Sequence, residues 1–145
     1  MVPWPWTVYA QGKEYYSTNA AQATAEVERL RALDVRNSDV GYMQITLHYH
    51  PDAFANLEAA FDPASNVAYT ASFLTNLYAA KRSWAGAVTL YHSTTPKYAK
   101  PYRKKVIQAR NDERRWAAEE KRHRRIETLK AEREERAREA AARGS

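Results

Sequence analysis

The chain of 145 residues has no cysteine and only four glycines, and no apolar run in it approaches the roughly 18 residues of a bilayer span. Without cysteine, disulfides play no part in holding the fold, and the redox compartment is left open. The opening MVPWPWTVYAQGKEYY lacks both the basic and the apolar region of a secretory signal, so the chain as written is expected to stay where it is made. What is present is enough length for one domain with a real core, and a net charge of +6 that is unevenly spread. Residues 1–100 hold eight Lys/Arg against eight Asp/Glu, whereas residues 101–145 hold fifteen against nine. The tail alone makes the protein basic.

Large residues alternate on both sides of Gln11-Gly12 in PWPWTVYAQGKEYYS, which predicts a hairpin over 3–17. Ser17, Thr18 and Asn19 offer N-caps for a following helix whose apolar positions are Ala23, Val27, Leu30 and Leu33. DVRNSD breaks that period. The alternation in VGYMQITLHYH then predicts a strand or extended segment over 40–50, stopped by Pro51. DAFANLEAAF reads as a helix capped by Asp52, and Asp62-Pro63 closes it and opens the next. Residues 63–80 carry Val67, Tyr69, Phe73, Leu74, Leu77 and Tyr78, a helix with a wide buried face, and 83–93 form another. Pro96 and Pro101 predict a loop, after which 103–143, free of Pro and Gly, form one long charged helix. Glu120 with Arg124, Glu132 with Arg136, Glu134 with Arg138 and Glu139 with Arg143 support it as i,i+4 pairs. Its few apolar residues make no heptad seam, so a coiled-coil dimer is not specified and the chain is read as a monomer.

Four segments, PWPWTV (3–8), DVGYMQI (39–45), FDPASNVAYTASFL (61–74) and WAGAVTLYHS (84–93), resemble in order and spacing the soluble lytic transglycosylase (SLT) domain of glycoside hydrolase family 23. The resemblance covers about Pro3 to Val106. It implies an α+β, mostly α, lysozyme-like domain over 1–102, with 103–145 as a charged helical extension. It also implies cleavage of the β-1,4 bond between N-acetylmuramic acid and N-acetylglucosamine in peptidoglycan, with the muramic 6-hydroxyl closing a 1,6-anhydro ring. By the same resemblance the protein belongs to the bacterial cell envelope, its partner is the glycan strand, and it uses no cofactor and no metal.

That chemistry needs one carboxyl group to protonate the leaving oxygen and then take the proton of the 6-hydroxyl. In the family this is a Glu at the end of a helix just before the PWPWT-like segment, a position that falls upstream of Met1, so the domain is expected to lack its first helix and the catalytic Glu. A misplaced start, a truncated gene or a short paralogue that only binds glycan are all compatible with this. No catalytic residue is assigned within the chain. Glu14 is the best-placed substitute, against the commoner case of a solvent-facing Glu in a hairpin.

For substrate binding, Gln44 offers an amide donor and a carbonyl acceptor suited to N-acetyl and hydroxyl groups. By resemblance Met43 forms an apolar wall beneath the ring, with Tyr42 standing where the family has a smaller residue. Tyr91 is the counterpart of the family's motif tyrosine, whose hydroxyl bonds the catalytic carboxyl or the substrate, and His92 stands in place of Asn. Asn66 is kept in this set, although it reads first as a cap or brace of the helix start rather than a sugar contact. Asp39 reads as a brace of the turn before Gly41. His48-x-His50 on a strand would share a face, but no third ligand completes a metal site, so the pair is read as polar braces or subsite residues. Trp84 is expected in the core, and Trp4 and Trp6 exposed. The basic tail can lie on anionic glycan, membrane lipid or nucleic acid, although its mixed signs fit a solvated spacer.

Overall fold

A computed structural model describes residues 3–143, which fall into two compact units divided after Ala87. The protein is α+β and mostly helical, with one small antiparallel sheet of order β2-β1-β3-β4.

In the first unit β1 (Thr7–Ala10) and β2 (Lys13–Tyr16) pair from Thr7 with Tyr16 to Ala10 with Lys13. The two-residue turn between them has positive φ at both Gln11 and Gly12, the primed geometry that matches strand twist. The α1 helix (Ala20–Ala32) starts on Asn19, whose side chain accepts the Gln22 N–H at 2.9 Å, while the Gln22 carboxamide accepts from Thr18. It ends at Leu33 in a Schellman turn: Asp34 takes the left-handed position, and Val35 N–H donates to the Leu30 carbonyl at 2.9 Å. Ala23, Val27 and Leu30 are buried as expected, but Leu33, being the cap, is 63% exposed.

The predicted strand over 40–50 is not one strand. β3 (Ser38–Val40) pairs with β1, then a tight loop with positive φ at Gly41 and Gln44 folds the chain back into the two-residue β4 (Ile45–Thr46). Residues 51–56 form turns, so α2 is only Leu57–Phe61 and is capped by Asn56, not by Asp52. Asp62 caps α3 (Pro63–Lys81) by accepting from both the N–H and the hydroxyl of Ser65, with Pro63 in the first turn.

The core is compact. Val8, Ala10 and Val40 of the sheet meet Ala23, Val27 and Leu30 of α1 and Ala60 and Phe61 of α2. The wide buried face expected of α3 is a narrow one, since its fully buried residues are the polar Asn66 and Thr70, and Val67 and Tyr78 are exposed. Asn66 is the tie between α3 and the sheet. Its carboxamide accepts the Met43 N–H at 2.9 Å and donates to the carbonyls of Val40 and Ala60. Among the described residues every buried side-chain polar atom is likewise partnered. Thr46 donates to Asp39 at 2.6 Å, making Asp39 a brace of the β3–β4 pair.

The α4 helix (Trp84–His92) follows, with Ser83 accepting the Gly86 N–H. Trp84 is 56% exposed rather than in the core and stacks on Tyr78 with ring centroids 4.4 Å apart. In the second unit α5 runs unbroken from Pro96 to Arg143, so the loop expected around the two prolines is not there. Pro96 occupies the first turn, where its missing N–H costs nothing, and Pro101 is absorbed inside the helix. Of the four expected i,i+4 pairs, Glu120 and Arg124 meet at 2.9 Å.

Candidate functional site

A cleft of about 200 Å³ opens between the start of the chain, the β1–β2 hairpin and the β3–β4 loop. Trp4, Thr7, Glu14, Tyr16, Tyr42 and Gln44 line it, with Gly41 beside them. Strand alternation explains half of this set, because Glu14 and Tyr16 are two apart on β2 and therefore share a face, and Thr7 is paired with Tyr16.

The Tyr16 hydroxyl donates to Glu14 Oε2 at 2.6 Å. That bond to the Glu14 carboxylate, with some desolvation and the negative charge itself, raises the Tyr16 pKa above the usual tyrosine value. Gln44 sits in the left-handed region, and its Nε2 donates to the Gly41 carbonyl at 2.9 Å and more weakly to that of Thr7 at 3.4 Å. This fixes the carboxamide plane at the cleft wall. Trp4 is 43% exposed, yet its position is set: Nε1 donates to the Ser17 carbonyl at 2.7 Å, its own carbonyl accepts from Thr7 Oγ1, and its ring meets Trp6 edge-on at 5.4 Å. Trp6, expected to be exposed, is half-buried against the core.

Of the residues singled out from the sequence, Glu14, Tyr42 and Gln44 thus come together. Met43 does not line the cleft; its backbone N–H is held by Asn66. The Asn66 side chain is wholly inside, its donors and acceptor spent on protein groups, so it acts as a brace. Tyr91 and His92 belong to the second unit, where both rings stack on Tyr102, at 6.5 and 4.3 Å. Burial raises the Tyr102 pKa there. Sequence reasoning passed over Trp4 and Tyr16 as site residues, although the i,i+2 relation of Tyr16 to Glu14 was a usable signal for the second.

His48 and His50 part company, since β4 ends at Thr46, His48 lies on the turn after it and His50 in the irregular stretch that follows. His50 Nδ1 is 2.8 Å from the Tyr69 hydroxyl and its ring packs on Phe73 at 4.7 Å, while His48 lines an open cavity of about 440 Å³ with Arg31 and Arg36. Among the described residues no three His, Cys, Asp or Glu side chains gather as a metal site would require, and no helix is long and apolar enough to cross a membrane. Comparison of the chain with protein-family models, with curated proteins and with solved structures finds no match.

Proposed function

We propose that the protein is the strand-holding part of a peptidoglycan lytic transglycosylase, a lysozyme-like domain of the bacterial cell envelope whose cleft takes one sugar of the glycan. The observation that carries this reading is that Glu14 of the hairpin and Tyr42 and Gln44 of the DVGYMQI segment line a single cleft with Trp4 of the PWPWTV segment. An indole and a phenol flanking a carboxylate and a carboxamide form the combination a pyranose needs, apolar faces for its C–H surface and polar groups for its hydroxyl and N-acetyl groups. The volume is below the roughly 300–1,000 Å³ of a closed ligand pocket, which fits one ring of a longer strand. The small antiparallel sheet beside helices is in keeping with a lysozyme-like α+β fold. In this reading the task of these lining residues is to hold the strand.

Glu14 lines the same cleft, and that placement favours a second reading in which Glu14 is the acid/base. Its carboxyl would protonate the leaving glycosidic oxygen as the C1–O4 bond breaks, then take the proton of the muramic 6-hydroxyl as O6 bonds to C1.

One experiment separates the two. The folded protein is incubated with purified sacculi, 1,6-anhydromuramyl products are sought by mass spectrometry, and binding of chitooligosaccharides is titrated in parallel. Saturable binding without products supports strand holding; products that vanish in Glu14→Gln assign the chemistry to Glu14. Neither binding nor products, from protein with its native circular dichroism, overturns both.

A further inference from the structure

From residue 103 onward every side chain of α5 is exposed except those of Val106 and Glu120, which are half-buried. The helix is continuous, so its residues can be placed around one axis at about 100° each. Arg103, Arg114, Arg125 and Arg136 then recur every eleven residues, each about 16.5 Å further along and turned by only about 20°. They form a nearly straight row about 50 Å long.

The rest of the helix follows the same division. The half of the surface centred on the line of Arg136, which contains the whole row, carries eleven Lys/Arg and two Glu between residues 103 and 143, while the opposite half carries four Lys/Arg and seven Asp/Glu. The alternating signs of the linear sequence therefore become, on the folded helix, a strongly positive face backed by a mildly negative one. A solvated spacer held by i,i+4 pairs needs no such segregation.

We propose that this face of α5 docks along the phosphate backbone of double-stranded nucleic acid, without reading its sequence. Nine of the eleven cations on the face are arginine, whose planar fork matches phosphate oxygens better than the point charge of lysine does. The row is straight, as the duplex axis is, and each phosphate that its arginines neutralise releases counterions. A membrane surface is a poorer fit. An interfacial helix opposes its charges with a continuous apolar sector, whereas here Ile107 and Leu129 lie among the arginines, Ile126 lies at the border and Trp116 lies on the far side.

The test uses the full chain, a fluorescently labelled 30-base-pair duplex, and anisotropy titrations between 50 and 200 mM NaCl. Arg114→Gln/Arg125→Gln/Arg136→Gln strips three cations from the row; Lys105→Gln/Arg124→Gln/Arg138→Gln removes the same charge from the other side. Glutamine has nearly the helix propensity of arginine and lysine, and circular dichroism checks that both variants keep their helix. The first variant is expected to bind at least tenfold more weakly at 50 mM salt, with a log–log salt slope shallower by about 2.7, or roughly 0.9 for each phosphate no longer neutralised. The second should stay within about threefold of the unmodified protein. Equal weakening in both variants, no binding by the unmodified chain at 50 mM salt, or tighter binding to phosphatidylglycerol vesicles than to the duplex would each overturn the proposal.

Discussion

Gly41 lies so close under Asn66 that a Cβ added at position 41 would stand 2.4 Å from Asn66 Nδ2 and 3.0 Å from the Ala60 carbonyl oxygen. Its φ of +77 is also one that side-chain-bearing residues resist. Gly41→Ala is therefore expected to cost about 2–4 kcal/mol, as backbone strain adds to a close approach that cannot relax without moving α3. Denaturant unfolding measures it, and a loss below about 1 kcal/mol would show that the loop re-forms elsewhere.

The other half of this packing is testable without a change of shape. Asn66→Asp keeps an acceptor for the Met43 N–H but replaces the donor to Val40 and Ala60 with a second oxygen facing two carbonyls. A loss of about 2–4 kcal/mol at neutral pH is expected. Burial raises the pKa of the introduced carboxyl, so part of the stability should return as pH falls and the protonated group donates again. A loss that does not depend on pH would contradict this account.

At the cleft, the Glu14 carboxylate holds the Tyr16 proton, and the Tyr16 pKa is raised for that reason. Glu14→Gln should bring it back toward the ordinary tyrosine value, which carbon-13 NMR of labelled tyrosine Cζ resolves residue by residue. An unchanged Tyr16 titration would mean that the pair does not form in solution.

His50 provides a pH dependence. Burial against α3 lowers its pKa below the ordinary 6.5, so at mildly acidic pH the unfolded chain binds a proton that the folded one resists. Stability should be full above about pH 6.5 and fall as pH drops below it toward the folded-state pKa. The unfolding midpoint of His50→Gln, compared with the unmodified protein between pH 7 and 5, should lose less. Parallel curves would remove His50 as the source.

Trp4→Ala tests the sugar cleft. Removing the indole should weaken chitooligosaccharide binding by about 1 kcal/mol, roughly fivefold, on the scale of one aromatic contact. Leu33→Ala, at an exposed helix cap, should leave that affinity unchanged. Equal affinity of the Trp4 variant and the unmodified protein would move the site elsewhere.

Local chemistry was legible where it acts alone. The Gln11-Gly12 turn, the Asn19 cap and the Asp62-Pro63 boundary each follow from residues within four positions of one another. The stretch from 40 to 50 was not legible, because alternation of polarity describes a strand and also a loop folded over a buried carboxamide, and what decided between them was Asn66, more than twenty residues away. Trp84 was misjudged for a related reason. Its size argued for burial, but the available partner was the surface ring of Tyr78. For the cleft, position in the hairpin pointed to Glu14 and the resemblance of its segment to Gln44, whereas Trp4 is placed beside them by its contacts with Ser17, Thr7 and Trp6, of which the bond to Ser17 has no signature in spacing.

The sheet has two edge strands, β2 and β4. β4 is two residues long, too short to template an added strand, and β2 opens with Lys13 and Glu14, both exposed. A charged or very short margin is what keeps a neighbouring chain from adding itself by backbone pairing and starting an aggregate. Glu14 thus has a standing duty that needs no ligand, and a variant that neutralises it to probe the cleft also removes a guard against self-association.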